Sequence, residues 1–346
     1  MSRAISRGFA SDNAAGVHPA VLEAIARANA GHARGYGHDP LTGRVEALFA
    51  EQFGAEAKVF FVWGGTAANV LGLRASCRPW EAVICADTAH LNVDEGGAPE
   101  AIAGVKLLCA RGEHGKLTPE SVAPLITRVG DEHAVQPRVV SISQCTELGT
   151  VYTVAELVAL SEFVHDHGLL LHMDGARLSN AAAALGVTPA TVSAQVGVDV
   201  LSFGGTKAGL LGAEAVVVLE PRLAEGLQFL RKQSMQLASK MRFLAAQFEA
   251  LLTDELWRTC AAQANAMAAR LAAAVGGVPG LEITRPVQTN AVFATLPAAA
   301  AAALQERFAF YVWDERVGEV RWMCSWDTTE ADVDAFAAAV AQMLAG

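Results

Sequence analysis

Short apolar runs alternate with helical segments between about residue 20 and residue 215, and this alternation limits the possible folds more than any other feature. Runs such as KVFFVWGG, AVICAD, RVVSISQ and LLLHMD are rich in apolar residues, which is typical of strands buried on both faces. Segments such as RVEALFAEQFG and TVAELVALSEFVHDHG lie between them and repeat apolar residues at helical spacing. Strands that alternate with helices predict an α/β domain around a mostly parallel sheet.

The pattern changes after about residue 222. A long stretch, LAEGLQFLRKQSMQLASKMRFLAAQFEALL, predicts one helix and is followed by alanine-rich helical segments. The runs LEIT, NAVFATL, FAFYVW and EVRWMCSW then have the character of strands. We therefore expect two domains, a large α/β domain over residues 1–245 and a smaller C-terminal α+β domain over residues 246–346.

Composition and charge limit the classes of partner. The net charge of −10, without a dense cluster of Lys and Arg, disfavours nucleic acid or an anionic membrane. No window approaches about 18 uninterrupted apolar residues, so no membrane span is predicted. The N-terminus lacks an apolar signal core, and the six cysteines are scattered without a CxxC pair. We therefore expect a cytoplasmic protein, and we predict no metal site.

Two charged residues follow neighbouring predicted strands. Asp174 ends the run LLLHMD, and Lys207 lies in the glycine-rich turn of VDVLSFGGTKAG, about one strand–helix–strand unit later. The carboxyl ends of parallel strands face the crevice in which ligands bind. Other interpretations are a surface loop for Lys207 and a structural ion pair between Asp174 and Arg177. A phosphate loop around Lys207 is disfavoured because the sequence has no GxxxxGK[ST] motif.

Asp174 and Lys207 together are what pyridoxal 5'-phosphate requires. A lysine forms the Schiff base, and a buried carboxylate keeps the pyridine nitrogen protonated so that the ring accepts electrons. The segment VFFVWGGTAANVLGL adds a strand, a turn at Gly64–Thr66 and a helix whose free N–H groups can bind a phosphate. The three features predict a pyridoxal-phosphate site at one edge of the sheet.

A set of motifs makes the chain resemble a known family. The chain is similar to the threonine aldolases of the pyridoxal-phosphate fold-type-I superfamily, close to the bacterial low-specificity branch. The matching stretches are FASDN, GYGHDPLTGRVEALF, GGTAAN, ADTAHLNVDEGGAPE, GKLTPESV, HMDGAR, SFGGTK, RKQSMQLASKMRF and VRWMCSW. The resemblance covers nearly the whole chain and implies a carbon–carbon lyase of the aldehyde-lyase type.

The resemblance also implies roles for individual residues. Lys207 corresponds to the Schiff-base lysine, and Asp174 to the carboxylate at the pyridine nitrogen. His90 matches the histidine that stacks on the cofactor ring, with a capped core histidine as the other interpretation. The remaining matches are Gly65 and Thr66 at the phosphate, Arg177 near the phenolic oxygen and the substrate carboxylate, and Ser11 and Arg321 at that carboxylate.

Three further matches rest on less specific motifs. His133 aligns with a second catalytic histidine of the family, although a solvated loop histidine is an equally good interpretation. Lys232 and Arg242 match basic residues that reach the cofactor site of a neighbouring subunit, and a charged helix face is the alternative. The resemblance therefore implies a homodimer or homotetramer with shared active sites.

The implied reaction is the reversible cleavage of L-threonine, L-allo-threonine and related β-hydroxy-α-amino acids such as phenylserine to glycine and an aldehyde. The alternative is another reaction on the same cofactor, β-elimination or transamination. A dinucleotide-dependent dehydrogenase is disfavoured because no GxGxxG motif follows an early strand. The sequence leaves open the preferred aldehyde, the threo or allo preference, the choice between dimer and tetramer, and the base, which is His90, His133 or a water.

Overall fold

A seven-stranded sheet forms the centre of the computed structural model, which describes residues 7–345. Its strand order is β1-β7-β6-β5-β4-β2-β3. The strands are Lys58–Val62 (β1), Glu81–Ala86 (β2), Lys106–Ala110 (β3), Gln136–Ser143 (β4), Leu170–Gly175 (β5), Val200–Gly204 (β6) and Glu214–Val218 (β7). β7 is antiparallel to both of its neighbours, and the other neighbouring strands pair in parallel. The predicted mostly parallel sheet is therefore confirmed.

Helices cover both faces of this sheet. Alternate residues of β6 belong to different apolar clusters, Leu201 and Phe203 to one and Val200 to the other, because successive side chains of a strand point to opposite faces. The α-helices are Pro19–Ala28 (α1), Pro40–Phe53 (α2), Gly65–Ser76 (α3), His90–Val93 (α4), Pro119–Val122 (α5), Val154–Asp166 (α6), Leu178–Leu185 (α7), Leu227–Gln233 (α8), Arg242–Leu252 (α9), Leu256–Val275 (α10), Ala298–Gln305 (α11) and Glu330–Ala345 (α12). None of the helices within residues 7–345 combines the length and apolar character needed to cross a membrane.

Local sequence signals set several helix ends. At the start of α6, the Thr153 hydroxyl accepts a hydrogen bond from the Glu156 N–H, and the Glu156 carboxylate accepts one from the Thr153 N–H. The alanine run that follows Pro297 forms α11, as its composition predicts. The segment 117–129 is only partly helical, since α5 gives way to a 3₁₀ turn at Ala123.

A second, antiparallel sheet forms the smaller part of the fold. Its order is β10-β11-β9-β8, with Glu282–Ile283 (β8), Ala291–Thr295 (β9), Tyr311–Asp314 (β10) and Glu319–Met323 (β11). Its core contains the buried Trp322 and Phe336, and it includes Phe9 from the opposite end of the chain. The Phe9 N–H donates to Ala309 O at 2.7 Å, and the Met323 N–H donates to Phe9 O at 2.8 Å. The N-terminal segment is therefore fixed on the smaller sheet.

Two features of the central region differ from the sequence-based expectation. The long helix predicted around residues 223–252 is broken, because the chain leaves α8 after Gln233, takes a left-handed turn at Met235 (φ 62°) and resumes with Arg242. The expected boundary at residue 245 falls inside α9. That helix contacts α1 and α2 and contributes Leu244 and Phe248 to the larger core, so the change of core lies within α10.

Candidate active site

The carboxyl edge of the large sheet brings together residues from four parts of the sequence. Asp174 lies at the end of β5, and Lys207 lies in a 3₁₀ turn just after the adjacent β6. His90 begins α4, four residues after the end of β2. β1 runs in the same direction as β6 because both are antiparallel to β7, so α3, which follows β1 and begins at Gly65, starts at this same edge. A ligand at this edge meets all four elements.

Asp174 is a buried carboxylate with its own set of donors. Its Oδ2 accepts a hydrogen bond from Asn69 Nδ2 at 2.8 Å, and its Oδ1 accepts one from the Ala176 N–H at 2.9 Å. Burial alone raises the pKa of Asp174, but the nearby Lys207 ammonium and these hydrogen bonds hold it below its usual value. The carboxylate is therefore kept ionised, as a partner for a protonated nitrogen must be.

His90 is held by two carboxyl groups. Its Nδ1 lies 2.8 Å from Glu95 Oε1, so this nitrogen carries the hydrogen, and its backbone N–H donates to Glu147 Oε1 at 2.9 Å. The hydrogen bond to Glu95 raises the pKa of His90, while burial opposes the rise and the charge of Asp174 adds to it. These contacts leave Nε2 as the ring nitrogen that can meet a substrate.

Glu147 lies beside His90 in the loop after β4. Its Oε1 also accepts a hydrogen bond from Ser143 Oγ at 2.5 Å, and its Oε2 is buried without a hydrogen-bond partner among residues 7–345. Burial raises the pKa of Glu147, and the hydrogen bonds from Ser143 and His90 only partly offset that effect. Burial therefore disfavours the charged form of this carboxyl group.

The turn that carries Lys207 is fixed from behind by Glu214, at the start of β7. The Glu214 carboxyl group accepts the backbone N–H of Gly205 at 3.0 Å and that of Thr206 at 3.3 Å. Gly205 leaves no room for a side chain, since a Cβ atom there lies 2.5 Å from Ala213 O. The glycines around Lys207 therefore allow the turn to pack closely against the next strand.

The three residues expected to bind a carboxylate differ in their surroundings. Arg177 is already paired with the buried Asp12, with Nε to Oδ2 at 2.6 Å and Nη2 to Oδ1 at 2.9 Å. Arg321 has no carboxylate partner among the described residues; its Nη2 donates to Ala10 O at 3.3 Å and its buried Nε has no partner. Ser11 Oγ caps the 3₁₀ turn at Asp12–Ala14 by accepting the Asn13 N–H at 3.2 Å.

Arg321 lies at a cavity of about 970 Å³ between the two sheets. Its guanidinium carbon lies 4.8 Å from the centre of the Trp313 ring. Burial lowers the pKa of Arg321 to about 10, and the charge of Arg177 adds to that effect. A guanidinium that is desolvated, still charged at neutral pH and not ion-paired favours binding of an anionic group.

His133 does not join this group. It lies in an exposed turn before β4, where its N–H donates to Asp131 Oδ1 at 2.9 Å. The Gln136 N–H at the start of β4 donates to Trp80 O, just before β2 begins. His133 is therefore at the amino edge of the sheet, opposite Asp174, and the expected approach to the substrate is not met within this chain.

Lys232 and Arg242 also lie apart from the carboxyl-edge group. The Lys232 ammonium is exposed and lies 5.4 Å from the centre of the Tyr36 ring. Arg242 begins α9, and its Nη1 and Nη2 donate to Gly31 O at 3.3 Å. Both side chains therefore present positive charge on the surface of the chain.

Asn69, Glu95, Asp12 and Glu147 contact the expected site residues but had no predicted role. The first three stand inside the motifs GGTAAN, DEGGAPE and FASDN, so the motifs located them without showing what they bind. Glu147, in SQCTELGT, had no signal beyond its position after a strand.

These residues fit the pyridoxal phosphate that the resemblance implies. An amine (Lys207) and an ionised buried carboxylate (Asp174) follow adjacent strands. Among residues 7–345 no side chain caps the α3 N-terminus at Gly64, so its first N–H groups can bind a phosphate. The donor set therefore supplies one partner for each polar edge of the cofactor.

Comparison with known proteins gives one family. Residues 8–299 match the model of the beta-eliminating lyase family. The chain is 47% identical to a low specificity L-threonine aldolase of a Pseudomonas strain over 96% of both chains. It is 48% identical to the low specificity L-threonine aldolase of Pseudomonas aeruginosa over 92% of this chain and 93% of that one.

Solved structures are similar over the same extent. A threonine aldolase of Leishmania major superposes with a TM-score of 0.92 at 33% identity, covering 98% of this chain and 99% of the other. An aspartate aminotransferase of Thermus thermophilus shares the fold alone, with a TM-score of 0.70 at 18% identity over 98% of this chain and 92% of the other.

Proposed function

The chain belongs to the threonine aldolases within the beta-eliminating lyase family, and on that premise we propose that it cleaves L-threonine, L-allo-threonine and related β-hydroxy-α-amino acids to glycine and an aldehyde. The cleavage is a reversible retro-aldol reaction, and the cofactor is pyridoxal 5'-phosphate. The observation that carries the proposal is the convergence of Asp174, Lys207 and His90 at one edge of the sheet.

Four groups would hold the cofactor. Lys207 would supply the amine for its covalent attachment, and Asp174 would pair with the protonated pyridine nitrogen. The N–H groups at Gly65 and Thr66 would bind its phosphate, and His90 would pack against its ring. When bound, pyridoxal phosphate accepts the electron pair released as the Cα–Cβ bond breaks.

Arg321 and Ser11 bind the substrate carboxylate, and Arg177 contributes to the same region. The Asp12 carboxylate holds the Arg177 guanidinium in a bidentate pair, so its orientation is fixed before a substrate arrives. A carboxylate held at a fixed angle determines which bond at Cα is aligned for cleavage. Arg321, Ser11 and Arg177 therefore determine the type of reaction as well as the affinity for the substrate.

His90 takes the proton from the β-hydroxyl group, either directly or through a water. Its Nδ1 is committed to Glu95, which leaves Nε2 as the acceptor. Because the pKa of His90 is raised, the neutral form that accepts a proton is gained only as the pH rises through that pKa. We therefore expect an acid limb in the pH profile of cleavage.

The products test the reaction. Purified protein with pyridoxal phosphate is incubated with L-threonine, L-allo-threonine and phenylserine, and amino acids are separated by chiral chromatography. Glycine and one equivalent of aldehyde support the proposal, whereas a 2-oxo acid with ammonia indicates β-elimination, and a 2-oxo acid with a newly aminated acceptor indicates transamination. Borohydride reduction followed by peptide mapping is expected to find the cofactor on Lys207, with Lys240 unmodified.

The proposed assembly is a cytoplasmic homodimer or homotetramer with shared sites. Lys232 and Met235 are exposed and Arg242 is half-buried, and these residues support a surface that contributes positive charge to the phosphate site of a neighbouring subunit. Mixing Lys207→Ala subunits with Arg242→Ala subunits tests sharing, since one intact site is then restored in a mixed dimer. Absence of any regained activity contradicts shared sites.

A further inference from the structure

A buried chain of hydrogen bonds joins His90 to Asp174 through two residues that have no assigned role. Glu95 Oε1 lies 2.8 Å from His90 Nδ1 and 2.7 Å from Asn69 Nδ2. The same Asn69 Nδ2 lies 2.8 Å from Asp174 Oδ2. Glu95 is 7% exposed and Asn69 is 2% exposed, so neither interaction competes strongly with water.

The chemistry of the amide fixes the direction of these bonds. Both neighbours of Asn69 Nδ2 are carboxyl oxygens, so the amide nitrogen donates one hydrogen to each. Without that donor, two buried carboxyl oxygens lose a hydrogen-bond partner. Asn69 therefore bridges Glu95 and Asp174 by satisfying one oxygen of each.

A buried Glu95 carboxylate also needs a positive partner. His90 is that partner through Nδ1, and its backbone is held independently, because its N–H donates to Glu147. The ring is thus fixed in one tautomer and one orientation by a group that does not itself reach the substrate. The charged or titratable groups around His90 are Glu95 and Asp174, which favour the cation, Lys207, which disfavours it, and Glu147 at the backbone.

We propose that Glu95 and Asn69 are positioning residues for the cleavage: Glu95 fixes the tautomer and charge of His90, and Asn69 couples that pair to Asp174. This inference rests on the proposed function. In the proton transfer, the substrate O–H bond breaks, its electron pair stays on the oxygen, and an Nε2–H bond forms, while Glu95 keeps its hydrogen bond to Nδ1 and stabilises the imidazolium. The same hydrogen-bond network therefore contacts both the proton acceptor, His90, and the carboxylate at the pyridine nitrogen, Asp174.

The first experiment uses the apoprotein and does not depend on activity. The nine histidines are labelled in the ring, and His90 is assigned in the NMR spectrum from a His90→Gln variant. In Glu95→Gln, which keeps the shape but removes the charge, the pKa of His90 is expected to fall below that of the wild type. An unchanged His90 titration overturns the proposal.

A matched control exists in the same chain. His165 Nε2 lies 3.0 Å from Asp199 Oδ2 at the opposite edge of the sheet. Asp199→Asn removes a carboxylate from a histidine elsewhere in the chain and is expected to leave the titration of His90 unchanged. If Asp199→Asn moves the His90 titration as far as Glu95→Gln does, the effect is general and the proposed network is wrong.

The second experiment uses the enzyme with its cofactor. In Glu95→Gln the acid limb of kcat is expected to move to lower pH together with the NMR titration, and kcat to fall by about 10–100-fold, as for the outer partners of metal-binding histidines. KM changes little, because Glu95 does not touch the substrate. Glu95→Asp, which restores the charge, is expected to recover part of the rate and serves as the second variant if Glu95→Gln folds poorly.

Asn69→Ala tests the coupling to Asp174. Loss of the shared donor is expected to shift the pH dependence of the absorbance of the bound cofactor as well as the His90 titration. If Glu95→Gln shifts the His90 titration but changes neither kcat nor its pH profile, Glu95 is a purely structural residue and the positioning role is overturned. If the protein makes no glycine from any substrate, the proposed function fails, while the apoprotein titrations still decide whether the network controls His90.

Discussion

Two histidine–carboxylate pairs lie at opposite edges of the large sheet. His90 and Glu95 are 2.8 Å apart at the carboxyl edge, and His165 and Asp199 are 3.0 Å apart at the amino edge. The side chains of the two histidines are similarly exposed, 36% and 41%. The two pairs therefore share the same type of contact, although His90 uses Nδ1 and His165 uses Nε2.

Their neighbours differ. Asp199 is used by the backbone: its Oδ2 accepts the Leu171 N–H at 2.7 Å, and its carbonyl accepts the N–H groups of Leu219 and Glu220. Asp199 thus connects the starts of β5 and β6 with the end of the antiparallel β7. At the carboxyl edge, the ends of several strands and the free start of α3 converge beside the first pair. A histidine–carboxylate pair becomes part of a site through what the topology places next to it.

The largest expected difference between the edges comes from Lys207→Ala. Loss of the covalent attachment is expected to lower kcat/KM by more than about 10⁴-fold, and the variant no longer gives a borohydride-reducible adduct. His165→Ala, at the other edge, keeps the adduct and the rate. A labelled peptide containing Lys232 instead of Lys207 contradicts the assignment.

The next effect concerns the two histidines themselves. His90→Asn is expected to lower kcat by about 10²–10⁴-fold, the range for loss of a general base, and to weaken retention of the cofactor in dialysis. His165→Asn is expected to leave kcat unchanged and to lower the free energy of unfolding by about 1 kcal/mol. If the two variants lower kcat equally, the proposal that only the carboxyl edge takes part in the reaction is wrong.

A comparison of Arg321 with Arg316 tests whether a guanidinium without a carboxylate partner among the described residues is the one that binds the substrate. Arg321→Ala is expected to lower kcat/KM for L-threonine by about 10–100-fold, because a hydrogen bond to a charged group contributes about 1.5–3 kcal/mol. Arg316 lines the same cavity but is paired with Asp314, with Nη2 to Oδ2 at 2.7 Å. Arg316→Ala is therefore the control and should change kcat/KM little.

Glu147→Gln gives a smaller, pH-dependent effect on stability. The folded-state pKa of Glu147 is raised above its unfolded value, mainly by burial, so its contribution is present at low pH and is lost as the pH rises through the folded pKa. The wild type is expected to lose stability relative to Glu147→Gln as the pH rises above the ordinary glutamate range. Urea unfolding over a pH series measures the difference.

Asp12→Asn has the opposite sign and checks the reasoning for Glu147. The Arg177 guanidinium holds the pKa of Asp12 below its usual value despite burial, so its contribution is lost as the pH falls. The advantage of the wild type over Asp12→Asn is therefore expected to shrink in acid. If the stability difference between wild type and variant changes with pH in the same direction for Asp12→Asn and for Glu147→Gln, the opposite pKa shifts of Asp12 and Glu147 are wrong.

The smallest effect is expected for His133→Ala. An exposed turn at the amino edge predicts a change in stability within about 0.5 kcal/mol, and unchanged rates and diastereomer ratios with L-threonine and L-allo-threonine. A changed threo to allo ratio in this variant places His133 at the site of a neighbouring subunit, and the comparison of edges then has to be made on the assembly.

The sequence was sufficient for the elements that follow one another along the sheet. Asp174 and Lys207 end consecutive parallel strands, and consecutive parallel strands tend to be neighbours, so their shared edge was predictable. His133 comes before a strand, and the same rule places it at the opposite edge, although a motif match suggested otherwise.

Contacts between distant segments were not predictable in this way. Asn69 reaches Glu95 and Asp174 because α3 packs across the sheet, and no local pattern encodes that approach. The break between α8 and α9 was missed because the apolar spacing continues through it, while the exposed Met235 takes a left-handed conformation that helical periodicity does not register.

The position of Phe9 has a consequence for biosynthesis. Its ring stacks on Phe336 with centroids 4.5 Å apart, and its backbone pairs with Ala309 and Met323. The ribosome makes Phe9 before these partners, so during translation the N-terminal segment has no place to bind until residues 309–336 have been made. Ser11 and Asp12 follow Phe9 directly, so we expect Asp12 to reach Arg177 only after the smaller sheet has formed.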